Sequence, residues 1–162
     1  MLPVILLIPF ITALFLLFFR KATFVRMVAL TSSIVNFVLT LSIVFSGSGS
    51  NYTLNQINSL NQQFSLGTDG ISLVMILLTN LLFPIIILVG FKREQKQVQI
   101  LNALILFIQS ALIGVFLAQN GFLFYIFWEL TLIPIYFILL LWGGEDRKNI
   151  TLKFFIYTMT GS

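Results

Sequence analysis

The chain is built from one long, mostly apolar stretch after another, each about twenty residues long, and this constrains its fold more than any other feature. The stretches are Leu2–Phe19, Thr23–Phe45, Gly70–Phe91, Val98–Ala118 and Phe122–Trp142. An α-helix rises about 1.5 Å per residue, so each can cross a hydrocarbon layer about 30 Å thick. A barrel strand needs only about ten residues, and its pattern alternates. Backbone polar groups in lipid must be satisfied within their own segment, which selects helices. Only 9% of the residues are charged, against about 25% in a soluble domain. The predicted fold is an all-α integral membrane protein with five complete transmembrane helices. The start of a sixth is expected near Ile150, with too few residues before Ser162 to span. Met1–Phe19 lacks a basic leader region and a small-residue cleavage site, so it reads as a first span.

The basic residues set the topology. Arg20, Lys21 and Arg26 flank the first connection, Lys92, Arg93 and Lys96 lie in the third, and Arg147, Lys148 and Lys153 follow the fifth. All nine Lys and Arg thus fall on alternate connections. The positive-inside rule puts these on the cytoplasmic side, and the N-terminus and the polar segment 46–69 on the other. The basic pI of 9.7 therefore reflects membrane orientation, and no nucleic-acid partner is expected. There is no Cys and no His, which excludes disulfides, haem ligation by His and Cys/His zinc sites within the chain. No phosphate loop, dinucleotide fingerprint or catalytic triad is present, so no cofactor or metal site is expected here.

Glu129 is the residue that points to function. It lies roughly 12 Å from the Gly121 end of its span and roughly 20 Å from the Trp142 end. A carboxylate at that depth costs about 3 kcal/mol by insertion scales, and the default reading is an ion or proton pathway. The bland reading is a structural carboxyl bonded to a neighbouring helix. A working relay needs a basic partner or water. Lys153 is the nearest basic residue, but it sits about one turn inside the membrane from the cytoplasmic loop, too far from Glu129 to pair, and is expected to snorkel. Pro134, five residues after Glu129, frees the carbonyl of Leu130, as Pro84 frees that of Asn80. Thr79 and Asn80 in the third span, and Gln109 and Ser110 in the fourth, are polar at mid-depth. They fit either interhelical hydrogen bonding or a wet pathway. Asp69 precedes Gly-Ile-Ser and fits an N-cap. Trp128 and Tyr125 sit too deep for the interfacial belt, whereas Trp142 and Tyr136 lie nearer the cytoplasmic end. Asn51-Tyr-Thr53 is a weak glycosylation signal.

Two stretches together resemble a known family. Gly67-Thr-Asp-Gly-Ile-Ser-Leu73, leading into a span with Thr79 and Pro84, resembles the opening of the third helix in the antiporter-like subunits of respiratory complex I. Phe127-Trp-Glu-Leu-Thr-Leu-Ile-Pro-Ile-Tyr136, then Trp142-Gly143 and Lys153-Phe-Phe-Ile-Tyr157, resembles the fifth and sixth, and is most similar to the branch containing bacterial chain M and mitochondrial subunit 4. The resemblance implies the N-terminal part of a fold of about fourteen helices built on inverted repeats. Residues 1–97 would be the first three helices, and 98–162 the start of the first repeat. In that family the fifth-helix glutamate, matched here by Glu129, pairs with a lysine on the seventh helix, a position beyond Ser162. The implied function is proton translocation as a membrane subunit of NADH:quinone oxidoreductase in a bacterial or organellar inner membrane. Other membrane subunits of complex I and the lipid bilayer are the implied partners. NADH, flavin, iron–sulfur clusters and quinone would all belong to partner subunits. The alternatives are a multisubunit Na⁺/H⁺ antiporter subunit and a non-translocating structural segment.

Overall fold

The computed structural model describes residues 2–46, 52–57, 62–91 and 97–161. The elements are α1 (Leu2–Leu16), α2 (Ala22–Ser46), β1 (Tyr52–Ile57), β2 (Gln62–Leu66), α3 (Gly70–Gly90), α4 (Val98–Leu117), α5 (Gly121–Trp142) and α6 (Arg147–Gly161). Four helices, α2 to α5, have the length and apolar character to cross a membrane. The expectation of five complete spans is corrected at α1, whose α-helix has 15 residues. At 1.5 Å each these cover roughly 22 Å. Leu17, Phe18 and Phe19 continue it in a tighter coil, each N–H donating to the carbonyl three residues back at 3.2–3.3 Å. At about 2 Å per residue that coil adds roughly 6 Å, which brings the segment close to the bilayer thickness. The sixth helix begins at Arg147, ahead of the expected Ile150. Its first turn is polar, so a boundary read from hydropathy falls late.

The polar segment 46–69, in which hydropathy alone marks no element, holds an antiparallel hairpin of β1 and β2. Its register pairs Tyr52 with Leu66, Leu54 with Phe64 and Ile57 with Gln62. Asn51 and Ser48 lie outside the described residues, as do Lys92, Arg93 and Lys96 of the third connection. The hairpin is tied to the α4–α5 turn: Gly67 N–H donates to Leu117 C=O at 2.9 Å and Gln119 N–H to Ser65 C=O at 3.1 Å. The second and fourth connections therefore share one side. At the opposite end, Arg26 in the first turn of α2 donates through Nη1 to the Phe91 carbonyl, 3.1 Å away, just past the end of α3. Its guanidinium carbon lies 5.8 Å from the Phe91 ring centroid. A cation on an orphan C-terminal carbonyl is favoured by both the open acceptor and the helix dipole. Connections one and three thus meet on one side, in accord with the alternating charge pattern.

α4 is the central helix, packed on α1, α2, α3 and α5. Its buried face carries Ala103, Ser110, Ala111 and Gly114, small side chains that let neighbouring backbones approach. A Cβ at Gly114 would overlap the Phe127 ring of α5. The apolar interior is split into two layers. One contains Ile5, Ile43, Ile76 and Ile113 and reaches the hairpin through Leu66. The other contains Ala13, Ala29, Ile87 and Leu106, toward the end where Arg26 meets Phe91.

Candidate functional site

Between the two apolar layers lies a buried polar belt. Asn36 stands between Ala29 and Ile43 on α2, Asn80 between Ile76 and Ile87 on α3, and Gln109 between Leu106 and Ile113 on α4. All three are fully buried, with 0% exposure, and they form one network. Gln109 Nε2 donates to Asn80 Oδ1 at 2.7 Å, and Asn36 Nδ2 approaches the same oxygen at 3.5 Å. Asn80 Nδ2 donates to Thr40 Oγ1 at 2.7 Å, and the Thr40 hydroxyl donates to the Asn36 carbonyl at 2.9 Å. Asn80 lies ten residues from either end of α3, roughly 15 Å from each, so the network is at mid-membrane.

Of the residues singled out in the sequence, Asn80 and Gln109 are therefore brought into direct contact. Thr79 is buried beside them, and its hydroxyl donates to the Met75 carbonyl at 2.8 Å. Ser110 ties α4 to α1 by donating to the Leu6 carbonyl at 2.7 Å. Asn36 and Thr40 were missed. The signal was present, because Ser32, Asn36 and Thr40 recur every four residues within an apolar run and so share a helix face. Ser32 Oγ also donates to Thr12 Oγ1 on α1, 3.0 Å away.

Glu129 is half-buried and lies apart from this network. Two residues along a helix turn through about 200°, so Glu129 and Phe127 occupy nearly opposite sides of α5. Phe127 is the residue that meets Gly114 of α4. On α4, Gln109 precedes Gly114 by five residues, a rotation of about 140°, and so faces away from α5. Glu129 instead shares a stripe with Leu132 and Tyr136, at i, i+3 and i+7. Tyr136 stacks edge-on against Phe155 of α6, with ring centroids 5.2 Å apart. The mid-depth polar groups of α3, α4 and α5, which fit either interhelical hydrogen bonding or a wet pathway, thus divide into an amide network on one side of α4 and a carboxyl on the α6-facing side of α5. Pro134 is buried inside α5, which runs on past it. Lys153 is exposed on α6.

The starts of α3 and α5 are built by short polar residues. Asp69 Oδ1 accepts from Ser72 N–H at 2.7 Å, the expected N-cap of α3. Hydrogen bonds from the Ser72 side chain and then its backbone hold this exposed carboxyl below its ordinary value. Asn120 caps α5 in the same way, accepting from Leu123 N–H at 2.7 Å.

A bundle of apolar helices of membrane-spanning length, packed around buried amides, defines a multi-pass helical membrane protein. Residues 118–162 match the family described as NADH:quinone oxidoreductase/Mrp antiporter, transmembrane. The chain is 35% identical over 96% of its length to NADH-quinone oxidoreductase subunit M of Rickettsia typhi. It is 36% identical over its whole length to NAD(P)H-quinone oxidoreductase chain 4, chloroplastic, of Mesostigma viride. Over 68% of its length it is 44% identical to F(420)H(2) dehydrogenase subunit M of Methanosarcina mazei. It covers 34%, 32% and 22% of those relatives respectively, a third of their length or less. A chain of respiratory complex I from Thermus thermophilus superposes with a TM-score of 0.86 at 25% identity, covering 99% of this chain and 33% of that one. A chain of an archaeal membrane-bound sulfane sulfur reductase shares the fold, with a TM-score of 0.73 at 20% identity, covering 98% of this chain and 25% of that one. The chain is similar to the antiporter-like membrane subunits of NADH:quinone oxidoreductase, and among them to the subunit M and chain 4 branch.

Proposed function

We propose that this chain serves proton translocation within a respiratory membrane complex of the NADH:quinone oxidoreductase type, with Glu129 as its protonatable carboxyl. The observation that carries this reading is the place of Glu129: mid-depth in a 22-residue apolar helix, on the stripe turned from α4 toward α6. A carboxyl kept at that depth, away from the interior amides, is suited to a partner that approaches from the α6 side. Pro134, which frees the Leu130 carbonyl, and Lys153 at the cytoplasmic margin would supply further polar groups along that route. Thr79, Asn80 and Gln109, across α4, would hold the helices against which α5 stands. The similar proteins are named for three electron donors, NADH, NAD(P)H and F(420)H(2). The identity of the donor is therefore not what they have in common, and flavin, iron–sulfur clusters and quinone are assigned to partner subunits. Residues 98–162 would begin the first antiporter-like repeat.

The test is Glu129→Gln in the assembled complex, read as donor-driven proton uptake in vesicles with complex content measured by native gel. Glutamine keeps the volume and hydrogen-bonding capacity, but it cannot release a proton. Pumping is expected to fall to near background at unchanged content. Normal pumping at normal content would remove Glu129 from the mechanism. A second reading, cation/proton exchange without redox coupling, is favoured by the antiporters within the matched family. Na⁺-driven proton movement in the absence of any electron donor would select it.

A further inference from the structure

The amide network has more polar atoms than it can satisfy. Asn80 is saturated on the network side: its nitrogen donates to Thr40 and its oxygen faces the amide nitrogens of Gln109 and Asn36. The direction follows from Thr40, whose one hydroxyl proton goes to the Asn36 carbonyl, so that its oxygen must accept from Asn80. Gln109 and Asn36 must then both present nitrogen to Asn80, and their oxygens point away from it. Gln109 Oε1 and Asn36 Oδ1 are each buried without a partner, as is Ser33 Oγ one turn before Asn36 on α2. Ser33, like the two amides, is fully buried at 0% exposure. Turning all three amides over does not remove the deficit. It replaces two unpaired acceptors with two unpaired NH₂ groups.

We infer that the α2–α3–α4 network is a binding site for internal water, which completes the outward amide ends of Gln109 and Asn36 and the hydroxyl of Ser33. A buried polar atom without a partner is costly, and ordered water is the usual remedy. Water donates and accepts, so it suits the amides in either orientation. A metal cation suits only oxygen and would find no carboxylate among these side chains. The site contains amides and hydroxyls and no titratable group, so its water is structural. It holds α2, α3 and α4 together at the depth where the two apolar layers part. This conclusion does not depend on the role of Glu129.

The test is a map of the assembled complex at a resolution that shows ordered water elsewhere in its membrane arm. Density is expected at about 2.6–3.2 Å from the outward amide atom of Gln109 or Asn36. In Gln109→Met, the peak beside residue 109 should disappear while α2, α3 and α4 keep their positions. A dry site in such a map would overturn the proposal, as would direct protein partners for both outward atoms. A peak at about 2.4 Å from the oxygens, in the range of hard-cation contacts, would replace water with a cation and overturn it too. The unmutated complex decides the question even if the variant fails to assemble.

Discussion

Glu129 and Asp69 are both carboxyls near helices of one bundle, yet their surroundings give them different work. Glu129 lies within hydrocarbon depth, on the stripe of α5 turned toward α6, and is the carboxyl proposed above to carry the proton. Shortening its reach by one methylene in Glu129→Asp is expected to leave partial pumping, intermediate between native and Glu129→Gln, in the same vesicle assay. Asp69 stands at the aqueous margin and accepts from the first turn of α3. Its folded-state pKa is lowered, so its contribution to stability is present above the ordinary carboxylate range and is lost as pH falls through that lowered value. Thermal unfolding followed against pH should show this acid loss in the native protein. Asp69→Asn, which can still cap, should be flatter over the same range, and Asp69→Ala should be less stable at neutral pH.

At the level of elements, α4 is held by fit on one side and by hydrogen bonds on the other. Toward α5 the constraint is steric, because a methyl at Gly114 already overlaps Phe127. Gly114→Val is expected to destabilise by about 1–3 kcal/mol through overpacking, measured as lowered thermal stability in detergent. Phe127→Leu in the same chain should recover part of the loss. Toward α3 the constraint is polar. Asn80→Leu leaves the Gln109 amide and the Thr40 hydroxyl short of partners and should cost about 1–3 kcal/mol. Adding Gln109→Leu should cost less than the two changes measured separately, because the second removes a group the first has stranded. Strict additivity in that cycle would mean the two side chains do not interact.

Over the whole molecule, the hairpin's attachment to the α4–α5 turn and the Arg26 bond to Phe91 place the connections on alternate sides. Membrane-impermeant thiol labelling should accordingly reach Ser48→Cys from the non-cytoplasmic side and Lys148→Cys only after the membrane is opened. Labelling of Lys148→Cys from the outside in sealed cells would refute this orientation.

Fold class, span order, the alternation of the connections between two sides and the depth of Glu129 were legible in the residues alone. Each follows from a one-dimensional quantity: the length of an apolar run against the bilayer, the position of Lys and Arg, or the count of residues from a helix end. The N-cap at Asp69 was legible for the same reason, since a cap is made within four residues. The short α1, the early start of α6 and the hairpin were not. Hydropathy marks where lipid ends, and a backbone can tighten, extend or pair beyond that point. Nor could the residues say which polar groups would meet. Asn80 joins Gln109, Asn36 and Thr40 while Glu129 stands on the other side of the α4–α5 contact, because Gly114 against Phe127 sets the rotation of those two helices. That rotation is decided by packing between side chains far apart in the chain, and tertiary structure alone supplies it.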